Sequence, residues 1–169
     1  LLQNRGLDDD GVLRLRDVAE DAGISTMPRS NMGVIVADLD DDGHEDLYFS
    51  DYGKNDVFLS DGEGGYRERT DDFGLGMAFQ ITDACPNEPM WAWDPCWLVS
   101  WGSTYTDFDL DGRRDLVVTN QQLLTPQPTL VWLGRKDGFK FLENELPAST
   151  TYGIATADFD EDGDAEMIW

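Results

Sequence analysis

One phrase, repeated three times in fixed register, most constrains this chain. It reads ADLDDDGHEDLYFS from Ala37 to Ser50, TDFDLDGRRDLVVTN from Thr106 to Asn120, and ADFDEDGDAEMIW from Ala157 to Trp169. Each copy alternates aspartates, turns on a glycine, places an acid three residues later and then becomes apolar. A further glycine stands five residues before each first aspartate: Gly33, Gly102 and Gly153. Carboxylates at positions 1, 3 and 5, a glycine at 6, a backbone carbonyl at 7 and an acid at 9 can surround one hard cation with oxygen. An EF-hand needs a bidentate glutamate at position 12. Phe49, Val118 and Trp169 occupy that position here. Short alternating stretches precede the loops (Val34-Ile35-Val36, Thr104-Tyr105, Ile154-Ala155-Thr156), and apolar or β-branched residues follow them. Each loop is therefore expected to join two strands, as the turn of a β-hairpin. The alternative is an acidic, solvated turn without metal. It would hold several carboxylates within reach of one another, repelling by roughly 1 kcal/mol or more per pair.

Charge follows from these loops. Thirty-five acidic residues against twelve basic ones give a formal net charge of −23, and the loop acids supply about half of that excess. Such a balance argues against nucleic acid and anionic membranes as partners. Disorder, the other reading of acid-rich sequence, is opposed by 40% hydrophobic residues and nineteen aromatics. At 169 residues one domain, or part of one, is expected. No run of eighteen apolar residues is present, so membrane insertion by a helix is not expected.

Plain hairpins alternate with the acidic ones. The first has strand residues near Leu1–Gln3 and Val12–Arg16. The second runs Val57–Ser60, turn Asp61–Gly65, Tyr66–Arg69, and the third Leu130–Leu133, turn Gly134–Gly138, Phe139–Leu142. One acidic hairpin followed by one plain hairpin is four antiparallel strands, the content of a propeller blade. The fold expected is all-β, a partial β-propeller of four-stranded antiparallel blades spanning 1–169. Counted this way, the chain opens on an outer half-blade and closes on an inner one. Two explanations stay open: it is an excerpt of a chain with further blades, or complementary halves of successive copies pair head to tail. With no initiator Met at its start, the chain also reads as processed or partial.

The phrase G-x-x-x-x-D-x-D-x-D-G-x-x-D-L, with L-x-N-x-G-x-G-x-F-like outer hairpins, resembles the FG-GAP/VCBS repeats of integrin α-chain propellers and of many secreted bacterial proteins. The connector Asp17-Val18-Ala19-Glu20-Asp21-Ala22-Gly23-Ile24 is similar to that of the bacterial and cartilage-acidic-protein branch. The resemblance implies calcium loops between the first two strands of each blade, with about three Ca²⁺ sites. Carried onto this chain, their ligands are Asp38, Asp40, Asp42 and Asp46; Asp107, Asp109, Asp111 and Asp115; and Asp158, Asp160 and Asp162. At position 7, His44, Arg113 and Asp164 offer backbone carbonyls. In the third loop Glu166 replaces the family's aspartate at position 9. The Phe-Gly and Gly-Ala-Pro elements that name the family are not present in full.

One stretch, 71–101, interrupts the pattern between blades. About thirty residues separate Arg69 from Gly102, against sixteen and ten at the equivalent connections, and Trp91, Trp93, Trp97 and Trp101 fall within eleven of them. These tryptophans either present a platform for sugar rings or a protein partner, or form a small core of their own. Cys85 and Cys96 show no C-x-x-C spacing and suggest either one disulfide or free thiols. A disulfide would imply an oxidising compartment, hence a secreted, cell-surface or periplasmic location. His44, the single histidine, assembles no nucleophilic triad, so no enzyme activity is expected. Two functions stay in view: a calcium-stabilised binding or structural module with a protein or glycan ligand, and a carbohydrate-binding or carbohydrate-active accessory domain.

Overall fold

The computed structural model describes residues 1–24, 30–75, 98–122, 125–143, 146, 148 and 151–169. The described residues form thirteen strands and no helix, so none contains a helix able to cross a membrane. Strands β1 (Leu2–Leu7) and β2 (Leu13–Asp17) form a two-stranded sheet. A four-stranded meander follows: β3 (Gly33–Ala37), β4 (Asp46–Ser50), β5 (Asp56–Ser60) and β6 (Tyr66–Glu68). A second meander joins β7 (Ser100–Thr106), β8 (Asp115–Gln122), β10 (Leu130–Arg135) and β11 (Gly138–Leu142), with the short β9 (Thr125–Pro126) paired to the end of β8. Strands β12 (Ala155–Ala157) and β13 (Glu166–Ile168) form the last pair. All pairings are antiparallel, as the alternation of hairpins predicts.

The acidic loops connect β3 to β4, β7 to β8 and β12 to β13, so each lies between the first two strands of its unit. Equivalent registers repeat: Leu47 faces Phe58 across β4 and β5 as Leu116 faces Trp132 across β8 and β10. The two meanders stack over one core. Tyr48 and Val57 from the first meet Leu116, Val118, Leu130 and Trp132 from the second, with Ala37, Leu39, Leu75 and Leu98 completing the cluster. Leu47, Phe58, Val117 and Val131 are buried as well. Successive buried positions mean that both faces of β4, β5, β8 and β10 are covered, which is why these strands read as apolar runs rather than as strict alternation.

The recurring glycine ahead of each loop explains how the units come together. A side chain at Gly33 would meet the carbonyl oxygen of Trp101 at 2.8 Å, and one at Gly102 would meet the Cα of Gly153 at 2.9 Å. The opening strands of consecutive units therefore approach backbone to backbone. Hydroxyls complete the contact: Ser50 Oγ donates to the Trp101 carbonyl at 2.8 Å, and Thr156 Oγ1 lies 3.0 Å from those of Thr104 and Thr106. The first two connectors also dock on the last strand of the meander that follows them. Tyr66 N–H donates to Ala22 at 2.7 Å, and Phe73 packs on Phe139.

Two expectations are corrected. The turn expected over Gly134–Gly138 is only Lys136-Asp137, because Arg135 still pairs with Gly138, whose φ of 119° lets the returning strand begin at once. The first strand is longer than expected, running to Leu7 across a register shift between Asn4 and Leu7. The Cys85–Cys96 pairing and the placement of Trp91, Trp93 and Trp97 lie outside the described residues. Trp101 is described: it stands in β7, half-buried, with its ring edge-on to Tyr152 at 4.8 Å.

Candidate metal centres

Each acidic loop is built from the same local hydrogen bonds. The carboxylate at position 1 accepts the N–H groups at positions 5 and 6. Asp38 takes Asp42 and Gly43 at 3.0 and 2.8 Å, Asp107 takes Asp111 and Gly112 at 3.2 and 2.9 Å, and Asp158 takes Asp162 and Gly163 at 3.1 and 3.0 Å. The carboxylate at position 5 then accepts the N–H at 7, for His44, Arg113 and Asp164 in turn. Backbone conformation repeats too. Gly43, Gly112 and Gly163 have φ of 90°, 87° and 103°, and position 4 is left-handed without a glycine: Asp41 at 60°, Leu110 at 56°, Glu161 at 61°. Three consecutive loops holding an uncommon conformation at a non-glycine residue share one closing geometry.

Position 9 ties the loop to its sheet. Asp46 and Asp115 are fully buried, and each accepts two backbone N–H groups from different elements. Asp46 takes Leu39 and Ser60, both at 2.8 Å; Asp115 takes Phe108 at 2.9 Å and Gly134 at 2.8 Å. Burial pushes both carboxyls above the usual range, and these hydrogen bonds pull against it. Glu166 has the reach its position requires: its Oε2 accepts Phe159 N–H at 2.7 Å, the bond that Asp46 makes to Leu39 and Asp115 to Phe108.

The carboxylate groupings differ between loops. Carboxylate oxygens lie within 4.8 Å of one another for Asp38, Asp40 and Asp42; for Asp107, Asp109 and Asp115; and for Asp158, Asp160 and Glu166. Asp46 and Asp111 fall outside these groups. Asp162 and Asp164 form a further group with Glu166, so the Asp164 carboxylate, and not only the carbonyl expected of position 7, stands among the acids of its loop. Hydrogen bonding to Asp162, and the charge of that neighbour, raise Asp164 to about 6. Burial, and then the charges of Asp46 and Asp42, raise Asp40. Closely spaced, acid-only oxygen donors are the chemistry of a hard divalent cation, and one positive group already stands against the second loop: Arg135 pairs with Asp111 at 3.0 Å and with Asp109 at 3.4 Å.

The position 7 side chains of the first two loops reach to neighbouring elements. His44 lies over Gly62 of the β5–β6 turn, leaving no room there for a side chain. Arg113 reaches from the second loop to Asp41 of the first at 3.3 Å. Between these loops Tyr105 packs under Arg114, whose guanidinium carbon is 5.7 Å from the ring centre, and burial pushes the Tyr105 hydroxyl up to about 12. Arg113, Arg114 and Arg135 all line the crevice between the two loops. Sequence reasoning named only Arg113. Aligning the two outer hairpins places Arg135 opposite Asp61, a signal that was available but silent about which way either side chain turns.

Residues 107–169 match the family described as the FG-GAP-like repeat. The matched stretch begins on the first aspartate of the second loop and includes the third. The resemblance seen in the residues is thus borne out over that stretch. No curated protein matches the chain.

Proposed function

We propose that this chain, which carries an FG-GAP-like repeat over residues 107–169, is part of a β-propeller whose blades are each fastened by a calcium ion, and that it serves as a non-catalytic binding module outside the cytoplasm. One observation carries the proposal: the same cradle, closed by position 1 on the N–H groups of positions 5 and 6, is built three times in loops that each follow the first strand of their unit. Asp38, Asp40, Asp42 and the His44 carbonyl would hold the first ion, with Asp46 beneath it. The second would take Asp107, Asp109, Asp111, Asp115 and the Arg113 carbonyl. The third would take Asp158, Asp160, Asp162, Glu166 and Asp164.

Calcium would supply charge neutralisation, drawing together carboxylates that otherwise repel. The acids at positions 1 and 5 of all three loops are engaged with backbone N–H groups of their own turns, which suits a fastening role better than acid–base chemistry. Millimolar calcium is found outside cells, in the range where extracellular modules bind. The ligand would be a protein or a glycan, met by the surface of the propeller, and the ring would be completed by further blades of the same chain or by a second copy. Trp101 does not favour the carbohydrate reading, because its ring is engaged with Tyr152.

Thermal melting with millimolar calcium and with a chelator tests the proposal. Stabilisation of about 0.4 to 1.4 kcal/mol per site is expected from mass action. An unchanged midpoint would reject it.

A further inference from the structure

The first and second loops differ in what lies against them. In the second, Asp111 stands outside the close group of Asp107, Asp109 and Asp115, whereas its counterpart Asp42 belongs to the group of the first loop. Asp111 is turned to Arg135, whose Nη1 donates to its Oδ2 at 3.0 Å while Nη2 donates to Asp109 Oδ2 at 3.4 Å. Nη1 also donates to the Gly134 carbonyl, holding the guanidinium at the loop. The position is set by the sheet: Asp115 fixes Gly134 N–H, and Arg135 is the next residue. In the first meander Asp46 fixes Ser60 N–H in the same way, and the next residue is Asp61. Its carboxylate turns back to its own hairpin, accepting the N–H groups of Glu63 at 2.9 Å and Gly65 at 2.8 Å. At these equivalent positions a cation stands against the second loop and an acid follows the first, whose own arginine contact, Arg113 to Asp41 at 3.3 Å, lies outside the group of Asp38, Asp40 and Asp42.

We propose that Arg135 is a resident counter-cation of the second loop, which a divalent cation must displace from Asp109 and Asp111, so that the second loop fills at higher calcium than the first. The inference rests on reading the loops as calcium sites. A guanidinium stays charged at any physiological pH, so it leaves only by swinging away. The side chain is 38% exposed and the arm is free to do so without opening the core. Displacement breaks the two charge-assisted hydrogen bonds to Asp109 and Asp111, and swinging away gives up the bond to the Gly134 carbonyl as well; the departed charge continues to repel the incoming ion. Two exposed pairs of this kind should lower apparent affinity by about three- to tenfold.

The test is a calcium titration followed by NMR at the amides of Gly43, Gly112 and Gly163, each of which donates to the first carboxylate of its own loop. Wild type, Arg135→Gln and the neighbouring charge control Lys136→Gln are compared, with melting in chelator to verify that the variants stay folded. Expected are a lower midpoint at Gly43 than at Gly112 in wild type, and a fall of about three- to tenfold at Gly112 in Arg135→Gln, with Gly43 unchanged and Lys136→Gln close to wild type. If calcium moves the glycines but Gly112 keeps its midpoint in Arg135→Gln, or falls equally in Lys136→Gln, the role of Arg135 is overturned and the calcium reading stands. If calcium moves none of the three amides in any variant, both fall.

Discussion

Position 9 of the first two loops shows how one carboxylate can belong to both a turn and a sheet. Asp115 is fully buried, and the N–H groups of Phe108 and Gly134 converge on its carboxyl and oppose the upward push of burial. One belongs to the loop and the other to β10, so the side chain stands in for a ladder bond where three chain segments meet. Asp115→Asn keeps the shape but presents an NH₂ group to one of two donors and removes the charge from the other bond. It should cost about 1.5 to 3 kcal/mol, measured by urea denaturation in chelator so that cation binding does not contribute. A stability equal to wild type would mean that these bonds do not fasten the loop. In the third loop Glu166 makes the loop half of this arrangement, its extra methylene still letting it reach Phe159 N–H.

At the scale of elements, the decisive contacts are lateral. Strands β3, β7 and β12 open their units and stand side by side, with Gly33 against the Trp101 carbonyl and Gly102 against Gly153. Here the glycine is required for space: the neighbour is backbone, which cannot move aside as a flexible side chain can. Gly102→Ala should therefore push β12 from β7, disturb the hydroxyl contacts of Thr156 with Thr104 and Thr106, and destabilise by about 1 to 3 kcal/mol. A melting midpoint indistinguishable from wild type would show that the strands do not approach so closely.

At the scale of the whole molecule, the two meanders are joined by an apolar core and, at the end away from the acidic loops, by a buried polar chain. Asn55 Nδ2 donates to Tyr48 Oη at 2.7 Å and to Ser100 Oγ at 3.1 Å. The serine hydroxyl donates to Asn120 Oδ1 at 2.8 Å, and Asn120 Nδ2 reaches the Pro128 carbonyl at 2.8 Å. These groups cross from one sheet to the other, and Tyr48, Asn55, Ser100 and Asn120 are buried, so each bond lost among them leaves a partner unsatisfied. Asn55→Ala and Ser100→Ala should each destabilise by about 1 to 3 kcal/mol. In a double-mutant cycle they should couple by at least about 0.5 kcal/mol. Strictly additive losses would mean that the chain of bonds does not link the sheets.

The sequence by itself determined whatever depends on contiguous residues. Spacing of Asp38, Asp40, Asp42 and Gly43 is enough to specify the turn, since all its hydrogen bonds close within five residues. Alternation of acidic and plain hairpins likewise gave the strand order and the antiparallel pairing, because neighbours in sequence are neighbours in each meander. Strand ends were less legible, as the tight Lys136-Asp137 turn shows: register across a pair, rather than composition, decides where a strand stops. Only the tertiary structure decided what lies against each loop and each glycine. Arg135 meets Asp111 from 24 residues away, Tyr105 reaches the Asp38 carbonyl from 67, and Ser50 meets Trp101 from 51. A local pattern encodes the shape of a turn, but these partners are brought together by the stacking of separate sheets, and side-chain direction there is set by packing that no single stretch of the chain contains.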